Sequence, residues 1–247
     1  MNNQVKLPIM EIFKRAFLYI FSIKKDLFNG IIIPVIIVSL LEVYVGYRSF
    51  SMQANDSFNV LPIVHNLIFV IVTCAFYRSV LQEKRFGLKS FRFGKDELRF
   101  LATYILIGAV VALVIGISAA TLAKSGLMEN QALIQVILLV ALFVMLYLIP
   151  KFIVLFPNII KKEKIFDFKH VNDLTKGNNI RILILSILYG VIIGTIFGLL
   201  TLVFQKNLLF VFIYYLLGFI FKLIQISIFA HIYKYLSFYN KEENKEA

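Results

Sequence analysis

Three charged side chains fall inside otherwise apolar stretches of this 247-residue sequence: Glu42, Lys151 and Lys222. A charge in hydrocarbon is costly enough to mark a functional site by default. At the rise of an α-helix, Glu42 lies about 7.5 Å from Tyr47 at the outer end of its run, and Lys151 about 9 Å before Pro157, within snorkelling reach of an interface. Lys222 is the deepest, separated from Lys234 by about 18 Å of helix, which puts it near mid-membrane. Gln225, three residues on, shares its face. Lys222 is therefore expected to point into a helical bundle with Glu42 as its counter-charge. Glu42, Lys151, Lys222 and Gln225 together form the candidate intramembrane polar site.

Other chemistry has no visible machinery. No HExxH, GxSxG, P-loop or dinucleotide fingerprint occurs, and the three histidines, His65, His170 and His231, are scattered. Cys74, the single cysteine, sits in an apolar run and reads as a small buried hydrophobe. No catalytic residue, metal ligand or cofactor is assigned, and an enzyme, lacking a paired acid and base, ranks last among the readings.

The elements that must position these residues are transmembrane helices. Hydrophobic residues make up 60% of the chain and charged ones 16%, with a mean hydropathy of +0.84. Soluble domains run nearer 45 to 50% apolar and about 25% charged. A hydrocarbon core of about 30 Å needs roughly 20 apolar residues. Six stretches fit, over 27–47, 60–81, 98–123, 132–160, 180–204 and 208–235, so the fold class is an all-α six-span bundle in a single membrane domain.

Orientation follows from the basic residues. The formal net charge of +12 could suggest nucleic acid, but Lys and Arg flank the apolar segments rather than forming a tract. On one side, before the first span, in the second and fourth connections and after the sixth span, 21 are found. The other side carries only Arg48, Lys124 and Lys206, so the first side and both termini are read as cytoplasmic. Anionic membrane lipid is the partner this distribution suggests, and nucleic acid is excluded.

Residues 6–25 read as an interfacial helix, with Glu11, Arg15, Ser22 and Lys25 near one polar stripe and Ile9, Phe13, Phe17 and Ile20 opposite. Asp26, Asp96 and Asp173 each precede a leucine before an outward-going span, which suggests three copies of an interfacial helix plus a hairpin. Two stripes of small residues, Gly108, Ala112, Gly116 and Ala120, and Ser186, Gly190, Gly194 and Gly198, recur every four residues and predict close helix packing. Gly177 followed by Asn178 predicts a helix stop and then an N-cap.

From Ile149 to Ile184 the chain carries Pro150, Pro157, the basic turn Lys161-Lys162-Glu163-Lys164, and Leu174-Thr175-Lys176-Gly177-Asn178 leading to Arg181. This segment resembles the region joining spans four and five in the membrane domain of certain bacterial glycerophosphoryl diester phosphodiesterases. It is similar also to that region in a group of small, uncharacterised enterobacterial inner-membrane proteins. The close likeness covers about a seventh of the chain, and the six-span plan runs throughout. It implies a bacterial inner-membrane location and a helical membrane domain without the catalytic barrel that some relatives carry. The function expected is a non-enzymatic role in organising envelope lipid or proteins; the alternative is a small transporter or channel with a polar path near Lys222.

Overall fold

The computed structural model describes residues 6–50, 61–83, 86–87, 90–124, 131–162, 167–203 and 208–246. Among them the chain is all-helical: α1 (Ile9–Ser22), α2 (Lys24–Phe50), α3 (Leu61–Gln82), α4 (Lys95–Lys124), α5 (Gln131–Lys162), α6 (Phe168–Thr175), α7 (Asn179–Val203) and α8 (Leu208–Glu246). Every helix but α1 and α6 is 22 residues or longer, about 33 Å or more. Three contain stretches both long and apolar enough to cross a membrane: Leu142–Lys161 in α5, Asn179–Leu202 in α7 and Phe212–Tyr239 in α8. Asn66–Gln82 in α3 is a shorter apolar stretch.

Local chemistry sets the helix ends. Glu97, third in α4, accepts from the Gly94 N–H at 2.9 Å, half of a capping box, while the Gly94 carbonyl accepts from Leu98 N–H at 3.1 Å. Asp167 caps α6 by accepting from His170 N–H at 3.2 Å. Gly177, at φ 75°, makes the turn between α6 and α7, where a Cβ would be strained. The break between α1 and α2 is Ile23 alone, slightly earlier than the predicted boundary. Its N–H donates to Tyr19 O and its carbonyl accepts from Leu27 N–H, so the ladder is hardly interrupted.

The core sits at one end of the bundle. Buried apolar residues concentrate in the second half of α3, the end of α5, the start of α7 and the second half of α8, with Ile12 and Ala16 of α1 laid against them. Aromatic rings interlock there, Phe76 meeting Phe86 edge-on at 5.8 Å and Phe100 lying 4.6 Å from Phe156. Away from that end, Leu113, Phe143, Val191 and Leu202 are exposed. In water such an apolar exterior would drive association, whereas lipid solvates it without penalty.

The small-residue stripes are a correction to the sequence reading. Among the described residues, a Cβ added at Gly108, Gly116, Gly190, Gly194 or Gly198 would meet nothing within 4 Å, and Ala112 is exposed; the side chain of Ala120 lies outside the described residues. Only Ser186 is half-buried, its hydroxyl donating to the Ile182 carbonyl of its own helix. α7 instead packs through Ile182, Leu185 and Tyr189, a stripe turned away from the glycines by roughly one residue, about 100°. The glycine that does permit a close approach is Gly30 on α2, where a Cβ would stand 3.0 Å from the Phe86 ring and 3.3 Å from the Gly87 backbone. Gly30→Leu is therefore expected to cost roughly 1 to 3 kcal/mol by overpacking, read as a lower melting temperature in detergent. Gly194→Leu should leave it nearly unchanged, and the reverse ranking would sink this packing scheme.

Candidate functional site

The ends of α3, α5 and α8, the starts of α4 and α7, and α1 converge at the core end of the bundle, and they bring the basic residues together. Arg78 near the end of α3 reaches Glu97 and, at 3.4 Å, Asp96 in the first turn of α4, and also donates to the Ser90 carbonyl at 3.0 Å. The Arg78 side chain is 6% exposed and that of Glu97 fully buried, so this is an ion cluster taken out of solvent. Lys161 at the end of α5 donates to the Leu81 carbonyl of α3 at 3.4 Å. Lys234 of α8 pairs with Glu83, holding that exposed carboxyl below its usual range.

The N-terminal segment is fastened to the same end. Asn178 accepts from Leu7 N–H at 2.8 Å, and Arg181 donates to the Leu7 carbonyl at 3.0 Å, so both backbone groups of one residue are held by the start of α7. Ile182 N–H donates to the Asn178 carbonyl, the backbone role of an N-cap, while the predicted cap side chain is turned to the distant Leu7. Ser227 of α8 donates to the Ala16 carbonyl, and the Tyr19 and Ser79 hydroxyls lie 2.6 Å apart, tying α1 down along its length.

The candidate intramembrane polar residues separate. Lys222 and Gln225 do share a face and line a cleft of about 310 Å³ between α7 and α8, with Tyr189, Tyr215 and Phe197 among its walls. Yet Lys222 is exposed rather than directed into the packed interior, its Nζ 5.0 Å from the centre of the Phe69 ring. The side chain of the proposed counter-charge, Glu42, lies outside the described residues.

Lys151 is the buried one. It is 2% exposed, its Nζ has no hydrogen-bond partner among the described residues, and the ammonium lies 3.5 Å from the centre of the Tyr147 ring. Tyr147 is one turn toward the N-terminus of α5, the direction in which helical side chains lean. The amine therefore points away from the Lys161 end, the opposite of the snorkelling expected from its position.

No family model, curated protein or solved structure matches this chain. Its chemistry must be read from these contacts alone. Among the described residues no group of three or more His, Cys, Asp or Glu side chains is placed to hold a metal ion. Sequence reasoning missed the Arg78 cluster, since it counted Arg78 only as a flanking charge. The signal that could have found it is the adjacent pair Asp96-Glu97 opening a helix, opposite an arginine that closes the preceding apolar run.

Proposed function

We propose that the chain is a non-enzymatic, multi-pass protein of a bacterial inner membrane that organises anionic lipid at a basic cytoplasmic end. The observation that carries this reading is the convergence of basic side chains from α1, α3, α5, α7 and α8, namely Arg15, Arg78, Lys161, Arg181 and Lys234, on the end of the bundle where the core is packed. All five belong to the side that the charge distribution assigns to the cytoplasm. The proposed topology is six spans with both termini inside, arranged as three helical hairpins of one orientation. The likeness to the phosphodiesterase membrane domains and the small inner-membrane proteins rests on the residues from Ile149 to Ile184 and supplies the bacterial location.

Reporter fusions at Ala247 and in the connection near Asp56 test the topology, with activity expected only from the cytoplasmic reporter at Ala247. A periplasmic signal there would overturn it. Purification in mild detergent with mass identification of retained lipid tests the function, with anionic lipid expected in excess over its share of the membrane.

A second reading, a small transporter, draws on the cleft lined by Lys222, Gln225 and Tyr189. Saturable solute uptake by proteoliposomes that Lys222→Met abolishes would favour it over the first.

A further inference from the structure

We propose that the cleft between α1 and the ends of α5 and α8 is a specific binding site for a phosphate group, supplied by the headgroup of an anionic membrane lipid. This names the ligand chemistry of the basic end described above and rests on that reading. The cleft measures about 580 Å³, within the size range of small-ligand sites. Among the described residues, Arg15, Lys161 and Lys234 line it against one carboxylate, Glu11, so the described wall is net positive. Arg15 pairs with Glu11 and Lys234 with Glu83, which lies outside the wall. Among the described residues Lys161 has no carboxylate within 4 Å, and its hydrogen bond to the Leu81 carbonyl is long at 3.4 Å. An ammonium so loosely held can turn to a phosphate oxygen and form a shorter, charge-assisted bond.

A competing account of Lys161 is that it merely offsets the partial negative charge at the ends of α3 and α5. That account leaves the cavity unexplained, and also the other face of α1. Ile12 and Ala16 of α1 are buried in the core and Arg15 faces the cleft, while Met10, Leu18 and Phe21 stand more than half exposed. A helix docked on the protein by one side and apolar on its free side lies at the membrane interface, which puts Arg15 at headgroup depth. The rings of Tyr235 and Tyr239, 4.6 Å apart and inclined by 50°, and the exposed Phe238 extend the cleft wall with residue types that favour that depth. A phosphate in the cleft with acyl chains along α1 satisfies both features, whereas free phosphate satisfies only the first.

The test is native mass spectrometry of the purified protein titrated with phosphatidylglycerol or phosphatidylcholine, at low and high ammonium acetate. The wild type should bind phosphatidylglycerol the more tightly, and Lys161→Gln should weaken that binding about fivefold, the effect of one cation near a lipid phosphate. Phosphatidylcholine binding should stay unchanged, which also reports an intact fold, and Lys161→Arg should retain tight binding. Lys169→Gln and Lys176→Gln, at exposed positions of the same end outside the cleft, should have little effect. If they weaken binding as much as Lys161→Gln does, attraction is diffuse and the cleft is overturned while the basic-end reading survives. If the wild type does not discriminate between the lipids, both fall. Competition by millimolar inorganic phosphate would uphold the phosphate site and overturn the lipid as its source.

Discussion

Arg78→Met should be among the most damaging single substitutions in this protein, lowering stability by roughly 3 to 5 kcal/mol, because it strands a fully buried carboxylate. Arg78 lies about one turn before the end of α3 and Glu97 in the first turn of α4, so their contact fixes how the two helices leave the intervening loop. Glu97 also accepts from Gly94 N–H, and Arg78 from its other nitrogen donates to the Ser90 carbonyl, so the arginine joins helix, loop and cap in one network. Adding Glu97→Gln should recover much of the loss, since a neutral amide no longer leaves a buried charge and can still accept from Gly94 N–H. The measurement is thermal unfolding of both single variants and the double variant in one detergent, analysed as a double-mutant cycle. Additive effects would mean that the two groups do not act as a pair.

Lys151→Met should have the opposite sign, raising stability by about 1 to 3 kcal/mol, because it removes a buried amine that has no hydrogen-bond partner among the described residues and keeps a side chain of similar length. The Tyr147 ring offsets part of the present penalty, a desolvated cation over an aromatic face being worth about 2 kcal/mol. Tyr147→Leu should accordingly destabilise the protein when Lys151 is present and change little once it is Met. The same thermal unfolding assay decides it. A fall in melting temperature for Lys151→Met would show that the ammonium has a stabilising partner beyond Tyr147, and loss of lipid retention in that variant would assign it a role in binding.

The contrast between Lys151 and Lys222 shows where sequence reasoning stops. Counting residues to the nearest charged terminus estimates depth, and by depth Lys222 is the anomalous residue. Burial depends instead on which side of a helix meets its neighbours, and α5 and α8 are apolar nearly all round at these positions, so no periodicity marks the packed side. The small-residue stripes fail for a related reason. A glycine row permits close approach but does not cause it, and α7 turns Ile182, Leu185 and Tyr189 inward while its glycines face out. Gly30, which belongs to no four-residue row of small residues, makes the contact that a stripe search passes over.

By itself the sequence determined that the chain is helical, that its long helices lie over the predicted apolar stretches and that its cations gather beside their ends. Composition, segment length and charge placement are one-dimensional quantities, and hydrocarbon constrains them before any packing occurs. Tertiary structure alone decided that Arg78 meets Glu97, that Asn178 and Arg181 hold Leu7, and that Lys151 rather than Lys222 is enclosed. Each of these depends on the rotation of one helix against another. For helices solvated by lipid, such rotation is chosen by side-chain packing and hydrogen bonds rather than by a hydrophobic gradient, and it leaves no periodic mark in the residues.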